Sequence, residues 1–157
     1  MSQNGQTTEQ LVAKYSATLY RYALALLQNP ADAQDAVQET FLRYLKKPPA
    51  FADENHEKAW FLTVNANLCR NMLRFRRAHP QAELTETAPA PADTPSHLPD
   101  WFLKLPPKVK IVMLLHYVEG YKVEEIAHRL HLTASAVKMR LKKGRTLLEE
   151  AKKEDRL

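Results

Sequence analysis

Ser135, Lys138, Met139 and Lys142 recur at three- and four-residue steps within ASAVKMRLKKGRTLL, residues 134–148, and such spacing aligns them along one side of a helix. A row of hydroxyl, ammonium and thioether groups can hydrogen-bond with base edges and make apolar contact there. Arg140, Lys143 and Arg145 along the flanks are cations suited to phosphates. The opposite side carries Val137, Leu141, Gly144 and Leu148, an apolar stripe that needs something to pack against. Immediately upstream, VEEIAHRL (Val123–Leu130) is a short amphipathic segment, and HLT (His131–Thr133) is a three-residue turn. Thr133 has the hydroxyl that an N-cap requires. Two helices joined in this way, the second with a basic outer face, form a helix-turn-helix that places its second helix in the DNA major groove. A helical hairpin with a solvated charged face is the simpler alternative for the same pattern.

Other chemistry finds little support. Glu124 and His128 are one helical turn apart and His131 follows, which outlines a metal site. The chain nevertheless has no HExxH, no cysteine pair and no third ligand at a useful spacing. It has no phosphate-cradling glycine loop and no nucleophile motif, so no catalytic residue, metal or cofactor is expected. Cys69 is the single cysteine, which excludes an internal disulfide, fits a reducing cytoplasm and suits a small core hydrophobe better than a redox centre. A net charge of +5 over 157 residues favours an acidic partner, nucleic acid first and an anionic membrane surface second. No apolar run approaches the ~20 residues that span a bilayer. The opening MSQNGQTTEQ is polar rather than signal-like, so no membrane insertion is expected.

The elements that must position these residues are helical. Only three glycines occur, and apolar residues recur at helical spacing, so an all-α protein is expected. A first helix is expected over about Glu9–Gln28, with Leu11, Tyr15, Leu19, Tyr22 and Leu26 inward. Asn29-Pro30 starts a second over Ala31–Lys47, with Ala33, Val37, Phe41, Tyr44 and Leu45 inward and Asp35, Gln38, Glu39, Leu42 and Arg43 outward. Pro48-Pro49 ends it. A loop to about Glu57 and a third helix from Lys58 through Arg77 complete this module. Residues 79–100 contain five prolines, four carboxylates and no Lys or Arg, a composition expected to remain an extended tether. The organisation is therefore two small helical modules, 9–78 and 101–152, with a flexible linker at 79–100. Both modules carry a net positive charge.

NPADAQDAVQETFLRYL (29–45), WFLTVNANLCRNMLR (60–74) and the segment from Leu105 to Leu148 together resemble the extracytoplasmic-function (ECF) class of bacterial sigma factors, which keep only the second and fourth sigma regions. The resemblance implies an N-terminal region-two module that binds core RNA polymerase and melts the −10 element, and a C-terminal region-four module that binds the −35 element. It assigns Asp35, Gln38, Glu39, Leu42 and Arg43 to the clamp helices of the polymerase β′ subunit, giving the outward leucine a purpose, and adds a contact of the chain with the β subunit. It assigns Asn67 to the captured base, Asn71 and Arg74 to the same stretch, and Arg76 and Arg77 to the DNA backbone. It assigns Pro107–Val118 and the helix-turn-helix to −35 DNA, with Thr133, Ser135, Lys138, Met139, Arg140, Lys142, Lys143 and Arg145 as contacts. An anti-sigma factor is an implied partner. Three positions depart from the family pattern: Lys122 replaces a capping Ser or Thr, His131 replaces a turn glycine, and Asn71 replaces an acid. A helix-turn-helix repressor or activator acting without the polymerase is the alternative. The ~22-residue tether could reach roughly 70 Å at ~3.3 Å per residue, enough to span promoter elements roughly 60 Å apart at ~3.4 Å per base step.

Overall fold

The computed structural model describes residues 6–79 and 99–155; the expected tether at 79–100 lies almost wholly outside them. The described residues are helical, with no strand among them, and fall into two compact units, 6–79 and 99–155.

In the first unit, α1 (Thr8–Leu27) begins with a capping box: the Thr7 hydroxyl accepts from Gln10 N–H at 3.1 Å, and Gln10 Oε1 accepts from Thr7 N–H at 2.8 Å. It ends at Gln28 in the left-handed region (φ 54°). One residue later Asn29 caps α2 (Pro30–Lys46), its Oδ1 accepting from Asp32 N–H at 3.0 Å. The third helix begins earlier than its apolar pattern indicates. Asp53 Oδ1 accepts from His56 N–H at 2.8 Å and opens α3 (Glu54–Ala78), so DENHE is a capped first turn rather than the end of a loop. Its acidic residues suit the positive end of the helix dipole. Glu57 is buried and accepts from Tyr15 Oη at 2.7 Å, and Lys14 pairs with both Glu54 and Glu57. The Glu54 carboxylate beside Lys14 raises the ammonium's pKa.

The three helices pack on one another around Phe61, which is fully buried. Its ring lies 4.8 Å from Tyr15, 5.5 Å from Phe41 and Tyr44, and 5.0 Å from Trp60, centroid to centroid. Phe51, in the loop between α2 and α3, joins the cluster at 6.0 Å from Trp60, so aromatic packing fixes that loop. A buried polar group bridges all three helices. Buried Asn65 on α3 donates to Leu19 O on α1 at 3.1 Å, and its Oδ1 accepts from Thr40 of α2 at 3.4 Å. Cys69 is a core residue, and burial pushes its thiol up to about 12, which removes thiolate reactivity at neutral pH.

The second unit contains α4 (Asp100–Leu103), α5 (Pro107–Met113) running into a π-helical turn at Leu114–Val118, α6 (Val123–Leu130) and α7 (Ala134–Asp155). The π turn interrupts the continuous helix expected over Pro107–Val118. Gly120 (φ 79°) then reverses the chain, and His116 Nδ1 donates to Tyr121 O at 2.9 Å. Both α5 and α6 pack on α7, burying Val137, Leu141 and Gly144, with Leu148 half-buried. Gly144 marks a close helix crossing, because a Cβ there would lie 2.6 Å from Met113 Sδ. Gly144→Ala is expected to change stability little. Alanine gains about 1 kcal/mol of helix propensity, which offsets the cost of displacing the buried Met113 chain, whose Sδ, Cγ and Cε would lie 2.6, 2.9 and 3.1 Å from the new Cβ. Gly144→Leu is expected to cost about 2–3 kcal/mol by overpacking, a contrast that urea melts of the two variants would measure.

Among the described residues of this unit Lys110 is a buried cation, 2% exposed, with its ammonium donating to Leu103 O at 3.1 Å. Desolvation lowers its pKa from 10.5 to about 8. Between those values the unfolded chain binds the extra proton, so stability rises with pH across that window, by about 3 kcal/mol at most. Hydrogen exchange in α5–α7 should therefore slow from pH 8 to pH 10 relative to its chemical rate, and Lys110→Met should remove that dependence.

Candidate functional site

Three exposed rows carry the candidate chemistry. The first lies on α2. Its regular 3.6-residue turn buries Ala33, Val37, Phe41 and Tyr44, and leaves Asp35, Gln38, Leu42 and Arg43 exposed with Glu39 half-buried. Leu42 is 49% exposed. Leu45, expected inward, is instead 52% exposed. Tyr44 takes the inward place at that turn, which leaves Leu45 beside Leu42 on the outside. The outer face thus has an apolar pair bordered by an Arg43–Glu39 ion pair at 3.7 Å. Gln38 also lines a groove between α1 and α2 with Tyr20, Arg21, Gln34 and Val37. These groups can bind an apolar and polar protein surface.

The second row runs down α3. Asn67 is half-buried, its side-chain oxygen accepting from Arg70 at 3.4 Å. Asn71, Arg74 and Arg77 are exposed, and an amide followed by arginines can hold an unpaired base and its phosphates. Arg76 does not point out with them. Its guanidinium donates to Leu27 O at 3.2 Å and to the Asp32 carboxylate. It ties α3 to the end of α1 and the start of α2, and its charge is already matched within the module.

The third row is on α7. The Thr133 hydroxyl accepts from Ala136 N–H at 3.0 Å and starts the helix as the sequence predicts. Ser135, Lys138, Lys142, Lys143 and Arg145 are exposed, Met139 is 72% exposed and Arg140 is half-buried. Arg145 donates to Tyr117 Oη at 3.0 Å, a support from the π turn that residue spacing did not signal. The two departures that flank α6 resolve locally. Lys122 cannot cap with its side chain, yet Glu125 Oε1 reaches back to accept from Lys122 N–H at 3.3 Å, making half a capping box. His131 takes the left-handed conformation a glycine would (φ 57°), and Leu132 N–H closes the helix end on Ala127 O at 2.8 Å. Glu124 and His128 are exposed, and no group of three His, Cys, Asp or Glu able to hold a metal occurs among the described residues. No described helix is long and apolar enough to cross a membrane.

Phe75 stands outside the three rows. It is 58% exposed at the end of α3, and its signal was an aromatic set among arginines in RFRR.

Family profiles match twice: Sigma-70 region 2 over residues 11–79 and Sigma-70, region 4 over residues 102–148. RNA polymerase sigma factor CarQ of Myxococcus xanthus is 30% identical over 151 residues, covering 90% of this chain and 87% of CarQ. ECF RNA polymerase sigma factor SigE of Mycolicibacterium smegmatis is 28% identical, and the match spans 60% of that longer protein. Among solved structures, CnrH in complex with the cytosolic domain of CnrY matches with a TM-score of 0.64 at 27% identity, covering 97% of this chain and 92% of CnrH. The sigma factor RpoE in complex with the anti-sigma factor NepR from Bartonella quintana shares the fold, with a TM-score of 0.69 at 23% identity over 92% of this chain and 96% of that one.

Proposed function

Because this chain belongs to the ECF class of RNA polymerase sigma factors, and so directs promoter-specific transcription initiation with core RNA polymerase, we propose how its two modules divide that work. The α2 face of Asp35, Gln38, Glu39, Leu42 and Arg43, extended by Leu45, docks on the β′ clamp helices. On α3, Asn67 holds a base taken out of the −10 duplex, with Asn71, Arg74 and Arg77 along the strand. Arg76 is assigned to holding α3 against α1 and α2 instead of to DNA. The α7 helix enters the major groove of the −35 element. Ser135, Lys138, Met139 and Lys142 face base edges there, while Thr133, Arg140, Lys143 and Arg145 hold the backbone. The protein carries out no catalysis of its own and works in the cytoplasm beside the polymerase. The observation that carries the reading is that each family match falls within one compact unit, with the α2 and α3 rows exposed on the first and the α7 row on the second. A repressor or activator acting without the polymerase would account for α6 and α7 alone and leave the α2 face without a use.

The α7 assignment separates two kinds of contact in binding assays on a mapped −35 element. Lys143→Ala should weaken binding on all sequences alike and lower the slope of log K against log salt by about 0.9. Lys138→Ala should relax preference at one base pair, by about 1–3 kcal/mol. Equal effects on cognate and scrambled DNA from both variants would refute the division. The likeness to CnrH, solved in complex with the cytosolic domain of CnrY, supports a protein partner for this chain, which we assign as an anti-sigma factor. Pull-down with the chain as bait against a Leu42→Asp control tests for one.

A further inference from the structure

The last turn of α3 holds an aromatic pair that neither the core nor the asparagine and arginine row explains. Phe75 is 58% exposed, and it does not project alone. The His79 ring stacks on it with centroids 4.1 Å apart and planes inclined by 18°. The imidazole is held in place, Nδ1–H donating to Phe75 O at 3.0 Å while the His79 backbone N–H donates to the same carbonyl at 2.9 Å. Capping the helix end accounts for the histidine. It does not account for a solvent-facing phenyl ring, whose exposure forgoes the stabilisation that burial would give.

The surroundings identify what the ring face suits. From Asn67 to His79 the chain has four arginines and no carboxylate, and Arg74 and Arg77 beside the pair are exposed. Steps of four residues, Asn67 to Asn71 to Phe75, put the ring on the same side of α3 as the two amides. A flat aromatic face flanked by cations, in line with amides, stacks a base of any identity while the cations hold its backbone. A protein partner seated on this patch would have to bury arginines without carboxylates from this segment to pair them.

We propose that Phe75, backed by His79, is a stacking platform for an unpaired promoter base, following along the strand from the base held at Asn67. Phe75 is thus a positioning residue for the melted strand, insensitive to base identity. The inference rests on the assignment of α3 to −10 DNA.

The test uses the full chain with bacterial core polymerase on a promoter mapped by run-off transcription, with 2-aminopurine placed at successive non-template positions. Phe75→Leu keeps apolar bulk and removes the ring face, and Phe75→Trp keeps a face. Phe75→Leu should lower open-complex formation about tenfold, in keeping with the worth of one base–aromatic stack. It should also brighten the probe at one position quenched in the wild-type complex, and Phe75→Trp should restore both. A Phe75→Leu variant equal to wild type in complex formation and probe quenching overturns the platform. Asn67→Ala separates the two claims. If it impairs opening while Phe75→Leu does not, only the platform falls; if both are silent, the assignment of α3 falls with it.

Discussion

Leu42→Asp is expected to weaken association with core RNA polymerase about 100-fold and leave the chain folded, an effect the size of a central interface residue. Leu42 is 49% exposed on α2, and its neighbour Leu45 is 52% exposed, so neither is needed to complete the core. Together they form an apolar centre bordered by Asp35, Gln38, Glu39 and Arg43. Hot spots have this arrangement, with an apolar anchor that loses its water on docking inside a polar rim. A carboxylate at the anchor must be desolvated without a partner there, which adds a penalty to the lost contact. Competition for core polymerase against a labelled wild-type chain measures the loss. Binding of −35 DNA by α7, a separate surface, should be unchanged and serves as the internal control. Wild-type affinity in this variant would remove α2 from the docking surface.

Phe61→Ala is expected to destabilise the N-terminal module by about 3–5 kcal/mol. The ring is fully buried, with Tyr15, Phe41, Tyr44 and Trp60 packed around it, so truncation opens a cavity that helices from three sides cannot readily fill. Small domains are stable by only about 5–15 kcal/mol in total, so this one change uses up much of that margin. Urea unfolding followed by fluorescence in a Trp101→Phe background, which leaves Trp60, 5.0 Å from the ring, as the remaining tryptophan, reports the change. Phe61→Leu should lose less, because it leaves the smaller void. The two variants should separate the roles of the module: Leu42→Asp is expected to disable docking in a folded chain, and Phe61→Ala to remove the scaffold beneath both the α2 face and α3.

Where the sequence was legible, the reason was repetition or a strong local signal. The stripes of α1, α2 and α7 recur every three or four residues over several turns, and Asn29-Pro30 and Thr133 start helices by chemistry confined to a few atoms. The start of α3 was hidden because Asp53 and Glu54 have no apolar period. Glu57 in particular is buried through a tertiary bond to Tyr15, 42 residues away. Leu45 was misplaced for a related reason. At this last turn of α2 Tyr44 takes the inward place against Phe61, a choice made by packing rather than by spacing. Arg76 belongs to the same class: its charge marks a DNA contact in the sequence, whereas its partners, Leu27 O and Asp32, come close only once α1 and α2 have packed. The exposed rows were legible because an outward side chain needs only its own helix to place it. The platform at Phe75 was not, since its ring gains meaning from the fold of His79 back across the helix end.

The central claim is that this chain gives core polymerase a promoter choice through two modules. It is tested most directly by run-off transcription with purified bacterial core polymerase, with and without the chain, on genomic fragments that include the region upstream of its own gene. Transcripts that depend on the chain, start at a few fixed sites and disappear with Leu42→Asp are predicted. A chain that binds the same fragments through α7 yet neither associates with core nor starts transcription would contradict the claim.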